Sequence, residues 1–151
     1  MSKQIIIDDG LKTYELVNKD KKVLGVIAFN PSDVNITHRY KKVVQELENM
    51  DVDTKKKAKT EDVTAEETIE SIIEAVDEMD KIAYEKMDYL MNAPVSEMLF
   101  SIMGPYSPMA SGQYFIEYIM EVIANIITQE TGVRVKKMNK SIQKHTSKYH
   151  G

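Results

Sequence analysis

Two hydrophobic periods divide the chain into a short strand-forming part and a longer helical part. Residues 4–8, 12–17 and 23–29 are rich in β-branched or aromatic residues, and short polar turns separate them. Such runs are typical of antiparallel strands that are joined by tight connections. The pattern predicts a small antiparallel sheet of two or three strands within residues 4–29, which needs a helix over one face to be stable.

The first helical pattern begins directly after the last of these strands. Its apolar residues recur every three or four positions, at Ile36, Tyr40, Val43, Val44 and Leu47. Asn30 is a favourable N-cap residue, Pro31 suits the first position of a helix, and Asp33 places a carboxylate near the positive end of the helix dipole. We therefore predict a helix over residues 31–50, with its apolar stripe against the sheet.

A strongly charged stretch, residues 51–62, follows this helix and contains two apolar residues. It has no face to bury, so we expect a mobile connection or a frayed helix end. The next helix is predicted over residues 65–92, opening with a capping box formed by Thr64 and Glu67. Its apolar residues recur at helical spacing: Ile69, Ile72, Ile73, Val76, Met79, Ala83, Met87, Leu90 and Met91. Its opposite face is acidic, and a helix this long must overhang a small sheet, pair with another helix or break.

Two further helices are predicted in the rest of the chain. A proline opens a short helix over residues 95–103, and a loop rich in Gly, Pro and Ser precedes a helix over residues 113–130. This last helix is apolar on most of its surface, which indicates full burial or cover by a partner. Gly132 is a stop signal, and the basic tail, residues 133–151, is expected to be flexible. The fold class is therefore α+β, with one domain over residues 1–132.

Composition and charge narrow the class of protein. The 151 residues suit one domain, and the lack of cysteine excludes disulfides and thiolate metal sites. No apolar run is long enough to span a membrane, and none follows a basic start as in a signal peptide.

The net charge is −4, but the end after Glu130 has six basic residues and no acid, which leaves −10 for the rest. The basic residues of the tail are Arg134, Lys136, Lys137, Lys140, Lys144 and Lys148. This asymmetry favours an acidic partner, nucleic acid, contact between tail and body, or a solvated tail.

No pattern in the sequence points to catalysis. The three histidines, His38, His145 and His150, do not have the spacing of metal ligands, and an acidic helix face is more typical of a solvated surface than of a metal site. Nucleotide-binding glycine motifs and nucleophile motifs are absent. We therefore expect a protein that is not an enzyme and that uses neither a cofactor nor a metal.

Methionine is concentrated in the C-terminal helical half, which holds seven of the ten. Methionine is flexible and polarisable, so it fills irregular cores and lines adaptable binding surfaces. Core filling is the simpler interpretation of any one methionine, whereas the group favours a helix-binding groove or an oligomer interface. The candidate partner-binding residues are Met87, Met91, Met98, Phe100, Met103, Ile116, Ile119, Met120, Ile123 and Ile127. Because the last five exceed what one face of a small domain can bury, we expect a second copy to cover part of them.

Four segments of the sequence resemble one known family. They are FNPSDVNITHRY from Phe29, VSEMLFSIMGPYSP from Val95, QYFIEYIMEVIANII from Gln113 and SIQKHTSKYH from Ser141. Together they resemble the tail assembly chaperones of long-tailed phages and prophages of Gram-positive bacteria, in which a short sheet leads through F-N-P-x-D into a helix. The family's F-G turn reads Phe100-Ser101 here, and Gly104-Pro105 follows shortly after.

The resemblance implies a non-catalytic protein that binds the phage tape measure protein before and during polymerisation of the tail tube. Such a chaperone acts in the host cytoplasm and is absent from the finished virion. Tape measure proteins are long, helical and apolar in stretches, so they need cover until the tube forms around them. An acidic body keeps such a complex in solution.

Two other classes of function are kept as alternatives. One is a nucleic-acid-binding module that uses the basic tail, although the charge of −10 on the body repels phosphates and Tyr149 is the one aromatic residue after Tyr118. The other is a structural tail or connector protein of the virion, although tube subunits are usually β-rich. We therefore expect a homo-oligomer that binds the tape measure protein and that contacts neither membrane nor nucleic acid.

Overall fold

The computed structural model describes residues 1–57 and 65–132 and has an α+β architecture. The elements are β1 (Lys12–Val17), β2 (Val23–Phe29), α1 (Val34–Lys57), α2 (Ala65–Met91), α3 (Ser96–Ile102) and α4 (Phe115–Thr131). The predicted fold class is thereby confirmed. None of the helices in these two ranges is long and apolar enough to cross a membrane. The predictions for Thr64, for residues 58–62 and for the basic tail fall outside the described residues.

The sheet consists of β1 and β2, which pair antiparallel. Tyr14 lies opposite Ile27, and its ring packs on that of Phe29 with 5.2 Å between the ring centres. Ile27 and Phe29 are buried, so this inner face of the sheet belongs to the core.

The prediction of a strand at residues 4–8 is wrong, because these residues are exposed and have no regular secondary structure. Asn30 accounts for the difference. Its side-chain amide donates a hydrogen bond to the backbone oxygen of Asp9 at 3.0 Å, and Gly10 lies against it with a φ of +68°. The chain is therefore held beside the end of β2 and does not fold back along β1.

The start of α1 differs from the prediction, since the helix begins at Val34 and Asn30 is not its N-cap. Asp33 performs that role, with its Oδ1 accepting a hydrogen bond from the backbone nitrogen of Asn35 at 2.9 Å. Asn30 Oδ1 instead accepts one from the nitrogen of Ser32 at 3.0 Å and orders the turn before the helix. The helix also continues to Lys57, past the predicted end at residue 50. Once a helix is nucleated, residues with good helix propensity such as lysine can extend it.

Helix α4 lies at the centre of the core. The Tyr40 hydroxyl of α1 donates a hydrogen bond to the backbone oxygen of Met120 at 3.1 Å, and burial raises the pKa of that hydroxyl, which keeps it a donor. On another side, the rings of Phe100 and Phe115 meet edge to face. These neighbours bury all seven hydrophobic core residues of the helix: Phe115, Ile116, Ile119, Met120, Ile123, Ala124 and Ile127. The expectation that Ile116, Ile119, Met120, Ile123 and Ile127 exceed what a small domain can bury is therefore wrong.

The C-terminal end of α4 is fixed by polar contacts. Lys12 of β1 forms an ion pair with Glu130 at 2.7 Å, which ties the sheet to the last turn of the helix. Gly132 ends the helix as predicted, with a φ of +70° and its N–H donating to the carbonyl oxygen of Thr128 at 2.8 Å. A left-handed residue at this position favours glycine.

Helix α3 joins the C-terminal end of α2 to the sheet. Asp88 accepts hydrogen bonds on Oδ1 from the backbone nitrogens of Val95 and Ser96, at 2.9 and 2.7 Å, and on Oδ2 from the Ser96 hydroxyl at 2.9 Å. It thus caps α3 in place of Val95, which has no polar side chain. On the sheet side, the sulfur of Met98 occupies the space that a side chain at Gly25 would fill.

Candidate partner-binding surface

Eight of the ten predicted partner-binding residues belong to the hydrophobic core. They are Met87, Met91, Phe100, Ile116, Ile119, Met120, Ile123 and Ile127. Met98 is half-buried against this core, and Met103 is exposed. A partner could reach the eight only by opening the domain, so the accessible apolar surface has to be sought elsewhere. The six basic residues of the tail lie outside the described residues.

One apolar row runs along the length of α2. Its positions are alternately four and three residues apart, so they share one face of the helix. The row consists of six apolar residues and one acid, in the order Ile69, Ile73, Val76, Asp80, Ala83, Met87 and Leu90. Ala83, Met87 and Leu90 are completely buried, whereas Ile69 and Ile73 are 59% and 54% exposed. The same row is therefore core in the C-terminal half of the helix and surface in the N-terminal half.

Helix α1 covers the C-terminal half of α2 and runs antiparallel to it. Arg39 Nε donates a hydrogen bond to the backbone oxygen of Leu90 at 2.9 Å. Further along α1, the Lys42 ammonium lies 5.3 Å from the centre of the Tyr89 ring. Still further, Glu46 forms an ion pair with Lys86. These three contacts join Arg39–Glu46 to Lys86–Leu90, so this part of α1 covers the C-terminal end of α2.

Asp80 marks the border between the two halves of the row. It lies between Val76 and Ala83, and its side chain is half-buried. Burial raises the pKa of the Asp80 carboxyl, and the nearby charge of Asp77 raises it further. The half-buried carboxylate of Asp80 thus coincides with the point at which the row changes from buried to exposed.

Acidic residues lie along one side of the exposed half of the row. Glu70, Glu74 and Asp77 are exposed, and residues 65–80 contain seven acids and no basic residue. We call the exposed row, Ile69, Ile73 and Val76, together with these three acids, the α2 surface. An apolar stripe with acids along one side is complementary to an amphipathic helix that has one basic flank.

An open groove of about 630 Å³ lies between α2 and the start of α3. Its lining includes Asp80, Tyr84, Glu85, Asp88 and Glu97. Asp88 is engaged in capping α3. Within residues 1–57 and 65–132, no three His, Asp or Glu side chains are arranged to hold a metal ion. The groove is therefore an acidic junction of two helices, and one of its acids already has a structural role.

The apolar row of α2 is evident in the sequence, whereas the exposure of its N-terminal half becomes evident only in the structure. Two sequence signals could have located this half. Asp80 interrupts the row at a position that should face the core, and the acids before it are not balanced by any base within residues 65–80.

No known protein family, curated protein or solved structure matches this chain.

Proposed function

We propose that the protein is a tail assembly chaperone of a long-tailed phage or prophage, and that it binds the tape measure protein through the α2 surface. The resemblance of four sequence segments to that family supports the proposal. The observation that carries it is the exposed apolar row of Ile69, Ile73 and Val76, which lies on a helix that extends beyond the core. A contiguous apolar row of this kind is typical of a surface that another protein covers.

The α2 surface suits one helical segment of the tape measure protein. Ile69 and Val76 are seven residues apart, which places them about 10 Å apart along the helix. A partner helix with apolar residues at matching intervals can pack along this row, while basic residues on one of its flanks meet Glu70 and Glu74. The acids accelerate association with a basic partner more than they add affinity.

The small size of the α2 surface fits a temporary role. Interfaces of limited area are typically weak and reversible. A chaperone in the host cytoplasm has to release the tape measure protein when the tail tube polymerises around it. A weak contact allows tube subunits to compete for the same helix, and the released chaperone then remains outside the virion.

Coexpression with the tape measure protein of the same phage or prophage tests this proposal. We expect the unmodified chain to keep the tape measure protein in the supernatant and to copurify with it. Ile73→Asp should abolish both effects, because it places a charge in the middle of the apolar row. Val23→Asp is the matched control, since Val23 is also about half exposed but lies in β2, opposite the uncharged Val17.

The outcomes distinguish whether the protein is a chaperone from whether the α2 surface is its binding site. If the unmodified chain neither binds the tape measure protein nor keeps it in the supernatant, the proposed function is wrong. If it does both and Ile73→Asp behaves in the same way, the chaperone function stands and the α2 surface is not its site. Mass spectrometry of purified virions then separates a chaperone, which should be absent, from a structural tail protein, which should be present.

A further inference from the structure

Three consecutive isoleucines near the start of the chain are almost entirely exposed. Ile5, Ile6 and Ile7 are 83%, 98% and 75% exposed, and residues 3–8 have no regular secondary structure. Single exposed isoleucines are common on protein surfaces, but a contiguous run of them combines high strand propensity with unpaired backbone groups. Such a run indicates a site for pairing with another chain.

The base of this segment is fixed to the domain. Asp8 and Asp9 accept hydrogen bonds on their side-chain oxygens from the backbone nitrogens of Gly10 and Leu11, at 3.0 and 3.1 Å. Asn30 holds the backbone oxygen of Asp9 at 3.0 Å. The segment therefore leaves the domain from a defined turn, which lowers the entropy that a partner has to offset on binding.

We propose that residues 3–8 form a self-association strand that pairs antiparallel with the same segment of a second copy. The sequence of this segment, KQIIID, is self-complementary in charge. With a two-fold axis between Ile5 and Ile6, Lys3 lies opposite Asp8 of the partner subunit, and Ile5 lies opposite Ile6 of the partner subunit. Opposite charges and β-branched residues are favourable cross-strand pairs.

Charge also determines the direction and the size of the assembly. Parallel pairing would place Lys3 beside Lys3 of the partner subunit and Asp8 beside Asp8 of the partner subunit, which is unfavourable. An antiparallel pair about a two-fold axis is closed, because each copy uses the same segment. The expected product is therefore a dimer. The strand is separate from the α2 surface, so this inference does not depend on the proposed function.

Two single variants of the full chain and their mixture test the pairing by sedimentation. Lys3→Glu places two carboxylates opposite each other at both ends of the pair, and Asp8→Lys places two ammonium groups there. Each variant alone should dimerise with a dissociation constant higher by on the order of tenfold. When the two variants are mixed, opposite charges face each other again at both ends, and dimers should re-form with nearly the original affinity.

A further pair of variants separates this strand from the helical surface. Ile6→Asp should abolish dimerisation, whereas Ile73→Asp on α2 should leave it unchanged. The proposal is overturned if the unmodified chain is a monomer at all concentrations, or if it forms open-ended assemblies. It is also overturned if Lys3→Glu alone dimerises as well as the unmodified chain does, or if the mixture of the two charge variants remains monomeric.

Discussion

The two halves of α2 carry the same apolar row and meet different surroundings. In the C-terminal half, Leu90 packs beneath α1, and the Tyr84 ring lies 5.0 Å from that of Phe100. In the N-terminal half, Ile69 and Ile73 face outwards beside a row of acids. Hydrophobic period therefore fixes which face of a helix is apolar, but neighbouring elements decide whether that face is buried. We therefore predict that the C-terminal half of α2 stabilises the fold and that the N-terminal half binds a partner.

Amide hydrogen exchange along α2 gives the most direct test of the difference between its two halves. Exchange near Leu90 should require opening of the core, whereas exchange near Ile73 should need only local fraying of the helix. We expect rates that differ by about a thousandfold or more between the two halves, since global stability is typically at least about 5 kcal/mol. Equal protection would show that both halves unfold together, and the overhanging half would then not be independent.

Core truncation is the next largest expected effect. Leu90→Ala should lower the free energy of unfolding by about 2–5 kcal/mol, because it removes a completely buried side chain and leaves a cavity. Ile73→Ala, in the same row, should change it by less than about 0.5 kcal/mol. Urea denaturation measures both, and similar losses for the two variants would contradict the division of α2.

Acidic residues of the two halves should also differ in their contribution to stability. Asp88→Ala removes the hydrogen bonds that cap α3 and should cost about 1–2 kcal/mol of unfolding free energy. Asp77→Ala removes an exposed acid of α2 and should have little effect. A thermal melt that fails to distinguish the two variants would show that Asp88 does not hold α3 in solution.

The smallest expected effect concerns Asp80 and depends on pH. Its folded-state pKa is raised above 3.8, chiefly by burial, so its ionised form weakens the fold at neutral pH. Asp80→Asn should therefore raise the melting temperature slightly at pH 7. This gain should fade as the pH falls through the raised folded-state pKa, because the folded carboxyl then takes up a proton. Glu74→Gln is the control for the loss of one negative charge, and an Asp80→Asn gain that does not change with pH would contradict the assignment.

The parts of the fold that follow from the sequence are those whose signal is local. The second long helix is predicted over residues 65–92 and observed at Ala65–Met91, because a helical period sustained over that length is rarely produced by a strand or a loop. Gly132 is identifiable as a stop signal because its left-handed conformation directly follows the helix that it ends.

The errors have two causes. Some elements depend on a contact with a residue that is far away in the sequence, and the start of α1 depends on competition between two neighbouring capping residues. Residues 4–8 have strand propensity, but strand pairing needs a neighbour, and the contact of Asn30 with Asp9 holds the chain elsewhere. Asn30 and Asp33 are both good capping residues, and propensity alone does not rank them. The burial of α4 and the capping of α3 by Asp88 arise from tertiary contacts that no short sequence pattern encodes.

Because Gly25 and Met98 are in contact, the effect of a substitution at one of these distant positions depends on the residue at the other. An alanine at position 25 would force the Met98 side chain to move, and a shorter residue at position 98 would leave a void above Gly25. Each change alone should be unfavourable, while both together should partly restore the fit. Substitutions at these positions should therefore be non-additive, so the tolerance of either site cannot be judged without knowing the residue at the other.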